Sequence, residues 1–320
     1  MPKHYLITGG AGFIGSHLTE RLIKANNRVT VIDNFNDYYA PAIKHQNIAT
    51  IRNQINLIEG DIRDAILVER TFAKGQFDQV IHIAARAGVR PSIQDPKLYF
   101  TTNIDGTFNL LDACRYHGVK HFTFASSSSV YGINKKVPFA ETDAIERTIS
   151  PYAATKLAGE QICSNYAHLF GIHCQCLRFF TVYGPRQRPD LAISKFTQNI
   201  LAGEPIHQYG DGSTARDYTY IDDIIDGIIA ATKYDQRSFE IFNLGGAATT
   251  TLSELIRLIE VASGQTALIE QLPEQLGDVP RTYADISKAT RLLHYAPKTS
   301  IQTGIEKYVK WLQGGKASTI

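Results

Sequence analysis

The stretch TGGAGFIGSH follows the apolar run YLIT (5–8) and opens a helical pattern over 12–25. Gly9, Gly12 and Gly15 fall at the bend between them. Glycine lets the backbone turn tightly and approach a ligand closely, and the free amides of a new helix N-terminus attract phosphate. The next apolar run, VTVID, ends on Asp33. A glycine turn between a strand and a helix, closed by an acid one strand later, is the pattern of a βαβ unit that holds a dinucleotide. The carboxylate accepts the adenosine ribose hydroxyls and repels a 2′-phosphate, so it favours NAD over NADP. The turn residues Gly9, Gly12, Phe13, Ile14 and Gly15, with Asp33 and its neighbour Asn34, are the expected cofactor contacts. Asp61 and Ile62 follow the third run, INLIEG (55–60). Asp61 suits either the adenine edge or the N-cap of a helix over 62–72.

The rhythm continues. VIHIA (80–84), HFTFAS (121–126) and CQCLRFF (174–180) read as buried strands, and helical patterns run over 65–73, 96–117 and 151–170. Strand–helix alternation predicts a doubly wound α/β fold, with a parallel sheet covered by helices on both faces. After residue 180 the alternation breaks at Pro185, Pro189 and Pro205, and shorter helices are expected at 193–202, 222–232 and 252–263. This divides the chain into a nucleotide-binding part, 1–180, and a smaller mixed α/β lobe, 181–320, with some later segments returning to the first. The last residues, GGKASTI, are expected to fray.

A net charge of +2 is too small to point to nucleic acid or a membrane surface as partner. No apolar run reaches the ~18 residues of a spanning helix, and the N-terminus lacks a signal-peptide pattern. The four cysteines form no CxxC pair, which argues against a metal site and for reduced thiols in the cytoplasm. Cys174 and Cys176 share one face of their strand.

SPYAATKLAGE (150–160) carries Tyr152 and Lys156 four residues apart. Tyr116–Lys120 and Tyr131–Lys135 have the same spacing, but glycine or a turn interrupts both. Only Tyr152–Lys156 lies in a well-formed helix, capped by Ser150 and started by Pro151, so only these two side chains share a face. A phenol of pKa ~10 is a poor base at neutral pH, and a nearby ammonium would favour its phenolate. FASSSSVYG supplies hydroxyls at 126–129 from the end of the fifth strand.

Taken together, the glycine turn, Asp33, HIAA (82–85), SSSSVYG and YxxxK resemble the extended short-chain dehydrogenase/reductase family. The resemblance continues through LRFFTVYGP (177–185), YGDGSTARDY (209–218), FNLG (242–245) and GDVPRTYADISKA (277–289). Within that family the chain looks most like the sugar-nucleotide 4-epimerases, and among them the UDP-glucuronate 4-epimerases. The resemblance implies that Tyr152 is the acid and base at the sugar 4-hydroxyl, supported by Lys156 and Ser127. Ser128, Ser129, Thr181 and Arg188 would face the hexose, with Arg188 on its carboxylate. Phe179 would pack beside the nicotinamide, and Ala84, Ala85 and Asn103 would form or support the cofactor groove. Arg216 would bind diphosphate and Asp278 the uridine ribose. Gln275 stands where several relatives have an arginine, so Arg281 is expected to substitute.

Relatives that eliminate water carry an Asp-Glu pair where this chain has Ser128 and Ser129. The expected reaction is therefore inversion at C4 of a UDP-sugar, UDP-glucuronate first. The alternatives are a neutral-sugar 4-epimerase, a UDP-glucuronate decarboxylase, or a non-catalytic dinucleotide-binding scaffold or sensor. A homodimer through helices 96–117 and 150–170 is also expected.

Overall fold

The computed structural model describes residues 2–273 and 279–316. The first half alternates strictly: β1 (His4–Thr8), α1 (Phe13–Lys24), β2 (Arg28–Asp33), α2 (Pro41–Ile48), β3 (Asn56–Glu59), α3 (Ala65–Gly75) and β4 (Gln79–His82). Then come α4 (Val89–Gln94), α5 (Pro96–Phe100), α6 (Gly106–Tyr116), β5 (His121–Ser127), α7 (Pro151–Phe170) and β6 (His173–Phe179). The second half holds β7 (Thr181–Tyr183), α8 (Ala192–Ala202), β8 (Pro205–Tyr209), β9 (Ala215–Arg216), β10 (Tyr218–Tyr220) and α9 (Ile221–Ala231). It ends with β11 (Phe239–Leu244), β12 (Thr250–Thr251), α10 (Leu252–Ser263), β13 (Leu268–Leu272), α11 (Ser287–Leu293) and α12 (Ile301–Lys316).

Seven parallel strands form the central sheet in the order β11-β6-β5-β4-β1-β2-β3. Six are the strands expected from the sequence. The seventh, β11, returns from beyond residue 180 and pairs with β6 from Phe239↔Cys174 to Leu244↔Phe179. The strand order reverses between β1 and β4, and a crevice opens there at the carboxyl ends of the strands. One apolar cluster, with Ile7, Leu18, Val31, Leu177, Ile225 and Leu244, packs helices on one face of the sheet. A second, with Leu6, Ile32, Val80, Leu110, Phe122 and Cys163, fills the other. All four cysteines are free and buried, Cys174 and Cys176 together on β6.

Two local expectations change. The helical stretch 96–117 is not one α-helix: a π-helical turn, Thr101–Asp105, separates α5 from α6. This wider turn accompanies Asn103, whose side chain bonds back to Arg86 and not to its own helix. Of the tail expected to fray, α12 continues through Lys316, and 317–320 lie outside the described residues. No helix among the described residues is long and apolar enough to cross a membrane.

Candidate active site

A cavity of about 470 Å³ runs along the crevice. Its walls come from the turn after β1, the ends of β2, β4 and β5, the first turns of α7, and the segment 179–191.

At one end sits the glycine turn. Gly9 has φ +72°, and a Cβ there would lie 2.8 Å from the Ala84 backbone, so glycine lets the β1 and β4 loops touch. A Cβ on Gly15 would lie 2.0 Å from the Gly9 carbonyl oxygen. Gly12 differs. A Cβ would meet only Gly9 O at 3.3 Å and Tyr39 Oη at 4.0 Å. It caps α1 without any side-chain bond, so the helix presents its N-terminal amides to the cavity. That is the arrangement a diphosphate requires.

Asp33 is buried at the tip of β2 and takes Ala11 N and Phe35 N at 3.0 Å each. Burial raises its pKa, and the two amide bonds work against that rise. The carboxylate is thus fixed with lone pairs left for a ribose. Asn34 donates to Asp61 at 2.9 Å. Burial alone would raise the Asp61 pKa, but the bonds from Arg63 and Asn34 bring it down to about 2. Asp61 is not a helix cap; Asp64 does that work for α3, accepting from Ile66 N and Leu67 N. Ile62, Ala84 and Ala85 line the cavity as expected. Asn103 does not. It is 2% exposed and braces the loop after β4, bonding Arg86 N, Arg86 O and Thr155 Oγ1 at 2.8–3.0 Å.

At the other end stands α7. Ser150 accepts from Ala153 N at 3.1 Å and Pro151 opens the helix, as the sequence suggests. Tyr152 and Lys156 both line the cavity. The Tyr152 pKa is raised by burial, while a hydrogen bond with Ser127 and the charge of Arg188 pull it down. Ser127 also accepts from Ser129 N at 3.2 Å and Ser129 Oγ at 3.0 Å. The Lys156 ammonium donates to Ala125 O at 2.7 Å and lies over the Phe124 ring. Burial pushes its pKa down to about 8. Ser127 and Arg188 thus counter the effect of burial on the phenol, and Lys156 stands one helical turn along the same wall.

Ser128, Ser129, Phe179, Thr181 and Arg188 join the same wall. Arg216 and Arg281 lie outside it. Arg216 donates to Ala215 O at 3.0 Å, Arg281 donates to Thr249 Oγ1 at 2.9 Å, and the two segments meet in a bridge between Ala215 and Arg281. Asp278 and Gln275 fall outside the described residues.

Several site residues escape a reading of the sequence. Tyr38, Tyr39, Asn36 and Lys44 line the cavity beside Asp33, and Lys44 donates to Asn36 O at 2.6 Å. The run DNFNDYY carried a signal, since its asparagines form successive side-chain turns to Asn36 N and Tyr38 N. A buried network behind the serines carried none. Ser126 Oγ donates to Glu160 at 2.5 Å, and Arg178 grips Glu160 at 2.9 and 2.7 Å.

Known proteins share this architecture. The family model for GDP-mannose 4,6 dehydratase matches residues 6–308. UDP-glucuronate 4-epimerase 4 of Arabidopsis thaliana is 43% identical over 326 residues, covering 96% of this chain and 74% of the plant protein. A crystal structure of UDP-glucuronic acid 4-epimerase from Bacillus cereus, in complex with UDP-glucuronic acid and NAD, superposes with a TM-score of 0.91 at 38% identity, over 97% of this chain and 99% of that one. UDP-glucose 4-epimerase of Thermotoga maritima, with UDP-glucose, gives 0.91 at 34% identity, over 98% and 99%.

Proposed function

The chain belongs to the GDP-mannose 4,6 dehydratase family of extended short-chain dehydrogenases/reductases, and we propose that it is an NAD-dependent UDP-sugar 4-epimerase that interconverts UDP-glucuronate and UDP-galacturonate. One observation carries the reading. A single cavity joins an open helix N-terminus and a fixed Asp33 to a half-buried phenol, with Ser128, Ser129 and an arginine around it. No carboxylate stands at 128 or 129 to drive the loss of water.

The residues fit NAD. The α1 amides would hold its diphosphate, Asp33 its adenosine ribose, and Lys156 its nicotinamide ribose, with Phe179 beside the ring. When bound, NAD supplies reversible hydride acceptance at C4. Tyr152 takes the proton of the C4 hydroxyl and later returns one, so the same phenol serves as base and acid. Ser127, on the same wall, would hold that phenol in line. Between the two proton transfers the 4-keto sugar turns over about its diphosphate linkage. Arg216 and Arg281 are assigned to the nucleotide anchor and Asp278 to the uridine ribose, so binding energy from the UDP end keeps the hexose in the site while it turns.

A 4-ketone lies β to the C6 carboxylate and invites loss of CO₂. Arg188, Ser128, Ser129 and Thr181 would hold that carboxylate by directional bonds, keeping the C5–C6 bond out of line with the carbonyl π system. Exposed Phe100, Phe108, Tyr116 and Leu169 on α5, α6 and α7 support a homodimer through these helices. Four reduced, buried thiols suit a cytoplasmic setting.

Product analysis by NMR with UDP-glucuronate, UDP-glucose and UDP-N-acetylglucosamine tests the assignment, with Tyr152→Phe as control. We expect inversion at C4 of UDP-glucuronate and its loss in the variant. Absence of C4 inversion with all three sugars refutes the function; a neutral-sugar product alone refutes the choice of glucuronate.

A further inference from the structure

We propose that Asp190 is a positioning residue for substrate specificity: it grips one edge of the Arg188 guanidinium and so aims the other edge at the C6 carboxylate of the sugar. This rests on the reading of the cavity as a UDP-glucuronate site.

A guanidinium carries five N–H donors in a flat, rigid fork. Asp190 occupies the side edge, taking Nε at 2.9 Å and Nη2 at 2.8 Å. Two bonds to one carboxylate fix the plane as well as the position of the group. The Tyr38 ring lies against its face, 5.2 Å from the guanidinium carbon. Tyr38 also feels the charge of Asp190 and lies near Tyr99, whose Oη donates to Ala87 O at 2.7 Å. The brace is thus tied to the loop after β4 as well as to the 186–191 segment.

With its side edge engaged, the guanidinium keeps its end edge, formed by Nη1 and the second hydrogen of Nη2. Arg188 lines the cavity together with Tyr152, Ser128, Ser129 and Thr181. A second carboxylate can therefore meet the end edge without displacing the first. Because Asp190 balances the arginine's charge, the site selects a carboxylate by the direction of its hydrogen bonds more than by raw attraction. The charged and titratable groups around the pair are Tyr38, Tyr39, Lys44, Tyr99 and Tyr152 about Arg188, and Lys195 about Asp190.

The brace has a chemical consequence. If Arg188 swings freely, the sugar carboxylate swings with it and the C5–C6 bond can align with the 4-ketone. That bond then breaks, CO₂ leaves, and the electron pair passes to C5 as an enolate. Solvent protonates C5 and a UDP-4-keto-pentose results, with the nicotinamide left reduced.

The experiment compares wild type, Asp190→Ala and Asp190→Asn in the full chain with NAD present. Calorimetry measures binding of UDP-glucuronate and of UDP-glucose, and turnover is followed by product NMR and by the absorbance of reduced nicotinamide. For Asp190→Ala we expect UDP-glucuronate affinity to fall about tenfold, the scale of one charge-assisted hydrogen bond, with UDP-glucose affinity within about twofold of wild type. Reduced nicotinamide and the keto-pentose should accumulate. Asp190→Asn keeps one acceptor oxygen and should recover part of both losses; it also covers the case in which the alanine variant fails to fold. Unchanged UDP-glucuronate affinity overturns the proposal. So does tighter binding, which would make Asp190 a competitor of the substrate, or an equal loss for both sugars. Should wild type fail to invert UDP-glucuronate, the functional reading itself falls, and this inference with it. Should wild type invert it while both variants behave like wild type, only the role of Asp190 falls.

Discussion

Lys156 is 3% exposed and its ammonium has one hydrogen-bond partner among the described residues, Ala125 O. Its pKa falls from the ordinary 10.5 to about 8 because burial penalises the charged form. At 1.36 kcal/mol per pKa unit, the folded chain without nucleotide bears ~3 kcal/mol for keeping this lysine charged. Lys156→Met removes the charge and fills the same space. It also gives up a hydrogen bond worth ~1 kcal/mol, leaving a net stabilisation of ~2 kcal/mol. For 320 residues this raises Tm by ~3 °C.

The pH dependence gives the sharper check. Below pH 8 both folded and unfolded chains hold the proton, and the full penalty stands. Between pH 8 and 10.5 only the unfolded chain keeps it, so wild-type stability from this group rises with pH, and above 10.5 the penalty is gone. At pH 9.5 only ~1.4 kcal/mol of it is left, and the Met variant's advantage should shrink to within ~1 °C. Calorimetric unfolding of both proteins, stripped of nucleotide, at pH 7 and pH 9.5 measures this directly. Activity should be lost in the variant throughout. A lower Tm for Lys156→Met at pH 7, or a gap that does not narrow at pH 9.5, would refute the account of Lys156 as a buried cation held for chemistry at a cost in stability.

Glu160→Gln leaves Arg178, 2% exposed, without its counter-charge. Breaking such a buried pair costs ~3–5 kcal/mol, so Tm should fall by ~5–7 °C; replacing the pair together with Leu and Met should restore most of it. Gly15→Ala drives a methyl to 2.0 Å from the Gly9 carbonyl and must displace the turn. NAD affinity, followed by fluorescence titration, should weaken at least ~tenfold, and unaltered binding would show that the turn is softer than its contacts imply.

Much of the site could be read before any coordinates because its devices are local. The glycine turn, the Asp33 strand end, and the Ser150–Pro151 start of α7 each act within a few residues of chain. Three tyrosine–lysine pairs were separable for the same reason: helix caps and glycines decide locally whether two side chains share a face. Where local signals compete, the reading stayed open or went astray. Asp61 and Asp64 both precede the third helix, and packing gave the cap to Asp64. The π-turn at Thr101–Asp105 follows from the pull of Arg86 on Asn103, seventeen residues away.

By itself, then, the chain's order of residues determined the βαβ rhythm, the parallel sheet, the choice of dinucleotide and the one tyrosine–lysine pair that shares a helix face, since each is encoded by periodicity or by spacing within one or two turns. Tertiary structure alone decided that β11 closes the sheet against β6, that Ser127 and Arg188 meet Tyr152 on one cavity wall while the Lys156 ammonium donates to Ala125 O, and that Glu160 anchors Arg178. These choices depend on burial and on partners brought together by folding, and neither desolvation nor a contact across the sheet leaves a period in the sequence.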